Sequence, residues 1–496
     1  MNPIFRWLDE RVDLRAIKEQ LLDRKMPGNL TWAHTLGSAT LAVFLVQVVT
    51  GVVLAMYYAP SPDHAYDSIR YLQEHVLSGS LLRGIHHWAA SAMVVLVLAH
   101  MIRVFSTGAY KYPREINWLL GVVLLFLVLG FSFTGYLLPW DQKAYWATQV
   151  GTNIAGTTPV VGGMLVKLLR GGSQLGAATL SRFFALHVLL MPLLLAVVVF
   201  LHLAIVVRQG IAARTGALEE GAPPRTSDPE YPAYYKQAYE RSKGAGVRFY
   251  PDLTTKDIVV ATAIILVLVL LGSFVGAGLE PPADPTDNTY VPRPEWYFLP
   301  FFQLLKLVPG SMEGVVAVGI PAALVIMLVA LPFFDRGSAR AFSKRPIARF
   351  SLFFLLGSSA LLLGASFTGE QPGAVVAEAG RPLSNIERSG KAMFGAQQCG
   401  SCHAVTGKGG GSKENAPNLS MIGLKHSGAW IHSFIENPLR FHPHSTMPSY
   451  GPPTISHQDI EELTRYLMTL RGPNGELTKP EFVDTFPEFP KSKEKL

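Results

Sequence analysis

Seven apolar stretches of about 20 residues each, long enough to cross a bilayer as helices, constrain this 496-residue chain more than anything else in it. They fall near 33–57, 84–105, 116–138, 182–207, 257–278, 314–334 and 349–366. Inside lipid a spanning segment must satisfy its own backbone, so the sequence predicts an all-α, multi-pass membrane helix bundle. A composition of 49% hydrophobic and only 16% charged residues excludes a large soluble enzyme. The net charge of +7 invites a nucleic-acid partner, but no basic stripe with interleaved aromatics accompanies it, and none is expected. Pro192 inside the fourth segment predicts a kink rather than a break.

Cations orient the bundle. They gather at the N-terminus and in the loops after the second, fourth and sixth segments: Lys111 and Arg114; Arg208, Arg214, Arg225, Lys236, Arg241, Lys243 and Arg248; Arg336, Arg340, Lys344 and Arg345. The positive-inside bias then makes the N-terminus cytoplasmic, and seven crossings deliver the C-terminus outside. Residues 1–30, with Phe5, Leu8, Val12, Ile17 and Leu21 spaced among charges, read as an amphipathic helix on the membrane surface, with an ordinary solvated helix as the alternative. They lack the uncharged core of a cleavable signal peptide. Beyond the seventh segment, the tether "TGEQPGAVVAEAGRP" leads to a small α-helical soluble unit at 384–475, and the last residues are rich in Pro and Lys.

That soluble unit holds both cysteines of the chain, Cys399 and Cys402, in "CGSCH". Two thiols are too few for a zinc ribbon or a cysteine-ligated iron–sulfur cluster. Followed directly by His403, they read as a covalent c-type haem attachment, with a redox disulfide as the alternative. Haem attachment happens outside the cytoplasm, where the topology puts this unit.

Inside the bilayer an ionisable side chain is functional by default. The second segment carries His86 and His100, 14 residues apart, and the fourth carries His187 and His202, 15 apart. At 3.6 residues per turn each pair lies on one helix face, its members about 21 Å apart along the axis. The two segments run in the same direction, so His86 shares a depth with His187, and His100 with His202. Two levels of two imidazoles suit two bis-His haems stacked across the membrane. The alternative is four polar residues hydrogen-bonded within the bundle. His87 points away from His86 and has no counterpart at 101. Glycines repeat the pattern: Gly37 and Gly51 on the first segment, Gly121 and Gly135 on the third, are again 14 apart. Gly51 and Gly135 belong to the outer level and Gly37 and Gly121 to the inner one, where a missing side chain lets backbone approach a flat macrocycle; small-residue helix packing is the alternative.

These residues, with "VQVVTG", "GIHHWAASAM", "RVFSTGAYKYPREINW", "GYLLPWDQKAYWA" and "LSRFFALH", resemble cytochrome b of the quinol-oxidising bc complexes, most closely its b6f branch. The likeness runs from about residue 1 to 212, taking in the N-terminal di-haem domain at 31–212, and continues at 250–367 through "RPEWYFLPFFQLLK", similar to the smaller partner subunit of that branch. A histidine spacing of 15 on the fourth helix is the b6f pattern, against 14 in the bc1 branch. The resemblance implies that His86 and His187 ligate an outer, low-potential haem b, and His100 and His202 an inner one. Arg83 and Arg103 match residues that meet haem propionates, a natural use of guanidinium. Tyr136, Pro139 and Trp140 match the wall of the outer quinol pocket. Pro294, Glu295, Trp296 and Tyr297 match the family's PEWY loop, in which Glu295 would take a proton from quinol; a carboxylate in an apolar pocket has a raised pKa suited to that task.

Two features depart from the b6f pattern. Thr35 stands where that branch tethers an additional inner-face haem through a cysteine. Lys256 and Asp257 in "TTKDIV" resemble the pair lining the quinone-reduction site of the bc1 branch, an interfacial anchor with a helix-start acid being the alternative. The tail resembles a class I cytochrome c, in which the Pro417 carbonyl would orient His403 and Met447, or else Met421, would be the sixth ligand.

Taken as a whole, the resemblance implies a cytochrome b/c subunit of a quinol:cytochrome c (or similar acceptor) oxidoreductase in a bacterial inner membrane. Its cofactors would be two haems b and one covalent haem c, with quinol and quinone as substrates. Quinol oxidation would be bifurcated: one electron leaves through a Rieske iron–sulfur protein and haem c to a downstream cytochrome or oxidase, the other crosses the membrane through the haems b, and proton translocation is coupled to both. The complex would be a homodimer set among membrane lipids. Two rivals stand beside it: a di-haem anchor feeding a periplasmic reductase, and a non-enzymatic haem carrier or maturation factor.

Overall fold

The computed structural model describes residues 3–28, 30–213, 215–244, 246–283, 293–368, 383–405, 408–409, 416–420, 422–443 and 445–470. Residues 369–382 of the tether, Met421, residues 471–475 and the side chains of Phe5, Ile17 and Leu21 lie outside that set. Contacts divide the chain into two units. The first comprises Met1–Trp140, Ala147–Leu279 and Arg293–Ser366; the second comprises Asp141–Trp146, Glu280–Pro292 and Phe367–Leu496.

The first unit opens with two short helices, α1 (Pro3–Val12) and α2 (Leu14–Leu21), the second capped by the Asp13 carboxylate, which accepts from the Ala16 N–H. Ile4, Trp7, Leu8 and Val12 remain exposed on the first. Strand β1 (Lys25–Met26) then pairs antiparallel with β2 (Val247–Arg248), so the chain start is stitched to a distant loop. The next elements are α3 (Leu36–Ala55), α4 (Ala65–His75), α5 (Gly79–Ser106), α6 (Glu115–Tyr136), α7 (Gln142–Gly156), α8 (Gly162–Arg170), α9 (Ala177–Ala185), α10 (Met191–Gln209), α11 (Tyr231–Gly244), α12 (Thr254–Phe274), α13 (Leu299–Lys306), α14 (Gly310–Phe334) and α15 (Pro346–Thr368).

Seven helical spans among the described residues are long and apolar enough to cross a membrane: Trp32–Ala55, Gly79–Ser106, Glu115–Tyr136, Ala177–Gln209, Phe249–Phe274, Gly314–Phe334 and Pro346–Phe367. All seven expected segments are there. The fifth ends earlier than its apolar run, because Gly276 adopts φ +69° and its N–H turns back to the Leu271 carbonyl, closing the helix. Leu193, Phe200, Val267, Leu270 and Phe354 stay exposed on these helices, which suits hydrocarbon rather than water.

The longest single helix, α5, packs against both α3 and α12. A Cβ on Gly84 would lie 2.8 Å from the Gly272 Cα, so the α5–α12 crossing requires a bare backbone on both sides. Val43, Met93, Val94, Val97, Leu125, Val128, Leu195 and Leu268 fill the space between the levels of the histidines' helices.

Most cations of these loops, among them Arg208, Arg225, Lys236 and Arg336, are exposed, but four are not. Lys111, Arg114, Arg340 and Arg345 are buried. Lys111 Nζ donates to Asp335 Oδ1 at 2.7 Å and to the Gly337 and Ala339 carbonyls, each at 2.8 Å. Arg345 bonds Asp335 Oδ2 at 3.0 Å and the Tyr110 hydroxyl. Arg340 bonds the Gly108 and Tyr112 carbonyls, and Arg114 donates to the Tyr235 hydroxyl on α11 at 2.6 Å. Three loops thereby close into one hydrogen-bonded clamp. Burial alone would raise the Asp335 carboxyl, but hydrogen bonds from Lys111 and Tyr110 outweigh it and hold the group below its ordinary value.

In the second unit, α16 (Asn385–Ala396) packs on α19 (His457–Met468), each started by a capping box, Ser384 with Glu387 and Ser456 with Asp459. The hairpin of β3 (Ala404–Val405) and β4 (Lys408–Gly409), then α17 (Ile422–Lys425) and α18 (Gly428–Glu436), complete it around a core of Ile431, Ile435, Ile460, Leu463, Tyr466, Leu467 and Leu470.

Candidate functional site

The four intramembrane histidines form two facing pairs. The rings of His86 and His187 have centroids 6.4 Å apart and are tilted by 75°. His100 and His202 lie within electrostatic reach of each other. Two metal–imidazole bonds of about 2 Å each, drawn in line, put ring centres about 6 Å apart, so the first pair is spaced to take one iron between them. Among the described residues, no three His, Cys, Asp or Glu side chains gather to hold a bare ion. Pairs of donors suit a metal whose other ligands come from a macrocycle.

The glycines fall where their spacing predicts. A Cβ added at Gly51 would meet His86 Cε1 at 3.1 Å, and one at Gly135 would meet His187 Cε1 at 2.5 Å. At the other level, Gly37 backs His100 at 3.2 Å and Gly121 backs His202 at 3.9 Å. Each imidazole therefore stands against bare backbone of a neighbouring helix.

An ordinary helix does not hold His187 and His202, 15 apart, in step with His86 and His100, 14 apart. The structure resolves the mismatch with a π-turn at Leu186–Leu190, closed by the Met191 N–H on the Leu186 carbonyl. A π-turn accommodates one additional residue while leaving the rest of the helix in phase. Pro192 comes directly after it and has no N–H to extend the regular ladder. The kink expected at this proline takes the form of that turn.

Two further side chains at this level are not evident from the sequence. Thr50 Oγ1 lies 2.9 Å from His86 Nδ1, and Thr134 Oγ1 lies 3.1 Å from His187 Nδ1. The only local signal is that each immediately precedes a patterned glycine.

The two arginines behave differently. Arg83 places its guanidinium on the Ala277 and Gly278 carbonyls just beyond α12, at 2.5 and 2.9 Å. Arg103 keeps a buried Nε without a hydrogen-bond partner. An orphaned guanidinium nitrogen fits a carboxylate-bearing group such as a haem propionate.

Near the other end of the histidine helices, the segment Pro294–Tyr297 is anchored at three points. The Tyr136 hydroxyl donates to the Arg293 carbonyl at 3.1 Å, Trp296 Nε1 donates to Ser91 Oγ at 3.3 Å, and Tyr297 is hydrogen-bonded to Ser132. Burial raises the Tyr297 phenol, partly opposed by that Ser132 bond, so it stays protonated. Glu295 and Pro294 are half-buried in the same stretch. Trp140 closes α6's exit with a left-handed φ of +52°.

At the opposite end, Lys256 Nζ donates to the Leu30 carbonyl at 3.0 Å, and Asp257 Oδ1 accepts from Ser38 Oγ at 2.6 Å. The two side chains are held by separate partners, not by each other. Thr35 is buried, its hydroxyl on the Trp32 carbonyl at 2.8 Å.

In the second unit Cys399 opens and Cys402 closes a 3₁₀ turn, the two not joined in a disulfide, and the His403 N–H returns to the Cys399 carbonyl at 2.9 Å. His403 is buried, and its Nδ1 bonds the Pro417 carbonyl at 2.8 Å. Burial lowers the His403 imidazole's pKa while that carbonyl works the other way. Burial pushes the Cys399 thiol up. Met447 packs against the core, and Tyr450, three residues on, lies within electrostatic reach of both thiols. The loop bearing Met447 therefore passes beside the cysteine turn.

Three families match successive parts of the chain. Residues 21–210 match the cytochrome b/b6/petB family, residues 282–380 the C-terminal cytochrome b/b6/petD family, and residues 388–471 the cytochrome c family. Cytochrome b6 of Rippkaea orientalis is 40% identical over 211 residues, which is 42% of this chain and 95% of the relative. A menaquinol:cytochrome c reductase cytochrome b subunit from Bacillus subtilis is 43% identical over 220 residues, 43% of this chain and 98% of the relative. A solved hyperthermophilic respiratory Complex III superposes with a TM-score of 0.63 at 28% identity, covering 74% of this chain and 92% of that one.

Proposed function

The chain belongs to the cytochrome b/b6 family and carries a fused cytochrome c domain, and from that premise we propose that it is the electron-transfer subunit of a quinol:cytochrome c (or similar acceptor) oxidoreductase. The observation that carries this reading is the pair His86 and His187, 6.4 Å apart with bare glycine backbone behind each ring. His100 with His202 form the second level; His403 and Met447 would hold the third haem, with Cys399 and Cys402 its covalent attachment points. Bound at these three places, haem supplies one-electron transfer.

The rest falls to the protein. Tyr136, Ser91 and Ser132 hold the Pro294–Tyr297 segment in place. From that position the Glu295 carboxylate takes a proton from bound quinol, and Trp296 and Tyr297 wall the pocket. Lys256 and Asp257 sit at the opposite end, where quinone is reduced and protons are taken up. Arg103, with its unpaired nitrogen, receives a propionate. Oxidation is bifurcated and coupled to proton translocation. A Rieske iron–sulfur protein is a separate subunit, since two cysteines cannot supply that cluster as well as haem c. The complex is a homodimer in a bacterial inner membrane with the C-terminal domain outside, passing its electron to a downstream cytochrome or oxidase.

Purified complex tests the reading. Pyridine haemochrome spectra should give two haems b for each haem c, and added quinol should reduce haem b in a reaction blocked by outer-site inhibitors. A ratio far from two to one, or quinol oxidation without haem b reduction, would remove it.

A further inference from the structure

We infer that Thr50 and Thr134 are positioning residues that fix the proton on Nδ1 of His86 and His187 and strengthen these two rings as iron donors, a device the other histidine level lacks. The inference rests on the reading of the histidine pairs as haem clamps.

A threonine hydroxyl has one proton to give. Thr50 gives its proton to the Val46 carbonyl, 2.7 Å away and one turn back, and Thr134 to the Gly130 carbonyl at 2.9 Å. Each oxygen is still within 2.9 and 3.1 Å of Nδ1 of His86 and His187, respectively. With the hydroxyl protons engaged, the imidazole must be the donor. The Phe131 carbonyl is also in range of His187 Nδ1, and a carbonyl can only accept. Both rings are therefore held as the Nδ1–H tautomer before any ligand arrives, with the lone pair on Nε2. Thr50 and Thr134 are themselves buried, so water does not compete for these bonds.

Donation from the distal nitrogen of a metal-bound histidine makes the ring more basic. A more basic ligand favours the oxidised iron and lowers its reduction potential. The matched positions at the second level, one residue before Gly37 and Gly121, are Leu36 and Leu120, which offer no oxygen. His202 Nδ1 there has the Asn117 carbonyl in range, as His187 has that of Phe131, but no hydroxyl beside it. Chemically similar clamps, two imidazoles each, thus differ in a pair of hydroxyls. The alternative is that the threonines merely bond back to their own helix, a habit of the residue type.

Redox titration of the haem b α-bands in the purified holo-complex, with the low-field EPR signal of each haem, separates the two. Thr50→Val and Thr134→Val keep the shape and lose the hydroxyl; Thr50→Ser and Thr134→Ser keep it. Each valine variant should move one of the two b waves to higher potential and leave the other in place, and each serine variant should restore the wild-type position. Leu120→Thr, with the Ile116 carbonyl one turn back to take its proton, should move the other wave down. Unmoved waves in haem-replete valine variants, or serine variants displaced as far as valine, overturn the inference. If valine costs the haem itself, Leu120→Thr decides alone, and an unmoved wave there overturns it. Fewer than two haems b in the unaltered protein would instead fail the clamp reading underneath.

Discussion

Four glycines share one residue type and one spacing, yet the structure gives them unequal room, and that inequality can be measured. Alanine at Gly135 would put a methyl carbon 2.5 Å from His187 Cε1 and 3.0 Å from its Nδ1. Ordinary contact begins near 3.4 Å, so the ring must withdraw by roughly 0.9 Å. Against a metal–imidazole bond of about 2 Å that retreat breaks ligation, and the alternative, spreading α6 from α10, carries an overpacking cost of about 1–3 kcal/mol. At Gly51 and Gly37 the clearances are 3.1 and 3.2 Å, and the ring needs to give only a few tenths of an ångström. At Gly121 the clearance is 3.9 Å and nothing has to move. Alanine in a helix interior is intrinsically favoured over glycine by about 0.5–1 kcal/mol, so Gly121→Ala should be neutral or stabilising. The assay is the ratio of haem b to haem c, with the covalent haem as internal standard. Gly135→Ala should fall from two haems b towards one, Gly51→Ala and Gly37→Ala should retain both with displaced α-bands, and Gly121→Ala should be indistinguishable from wild type. Loss at Gly121→Ala equal to that at Gly135→Ala, or full retention with unshifted bands at Gly135→Ala, would refute the packing argument.

Deleting Leu189, an exposed residue of the π-turn, should convert the turn to regular helix and retain both haems b; deleting Val198 from the regular stretch of α10 should swing His202 by about 100° and cost the haem at the His100–His202 level, read by the same ratio. Asp335→Asn leaves the buried Lys111 ammonium without its carboxylate but still on the Gly337 and Ala339 carbonyls; with Asp335 30% exposed the loss should fall short of the about 3–5 kcal/mol of a fully buried pair, visible as a lower thermal unfolding midpoint. The Asp335 carboxyl is held below its ordinary value in the fold, so its contribution is complete above the unfolded-state pKa and disappears as pH falls through the folded one; wild type should lose stability below about pH 4 more steeply than the asparagine variant. Cys399→Ser with Cys402→Ser should abolish haem staining of the denatured chain while leaving the haem b spectrum intact, and Met447→Ala should lower the potential of haem c.

The spans, the histidine levels and the glycines were legible because a helix converts position into angle and height, and because lipid leaves few ways to place a polar group. The same arithmetic fell short at His187, where it assumes a regular helix; the disparity between 14 and 15 was itself the trace of the π-turn. Charge counting located the loop cations but carries no information on their surroundings. Nothing local in "GAYKYPRE" tells that Lys111 will be enclosed by Asp335 and two carbonyls from a loop more than 200 positions away. Likewise Arg83 is met by the end of α12, and Ser38 takes up Asp257, both through contacts that only the folded bundle creates. Thr50 and Thr134 were hidden for a different reason: threonine in an apolar helix normally signals nothing beyond a bond to its own turn.

The buried clamp of Lys111, Arg114, Arg340 and Arg345 bears on how the chain is assembled. A cation can steer a nascent segment in the bilayer only while it is hydrated and free to be read by the insertion apparatus. Once these loops dock, those four charges are withdrawn, bound to Asp335, to phenols and to carbonyls. Topology must therefore be decided before the loops meet, and their docking would then lock in whichever arrangement was reached. An error made early could not be corrected afterwards without dismantling the clamp.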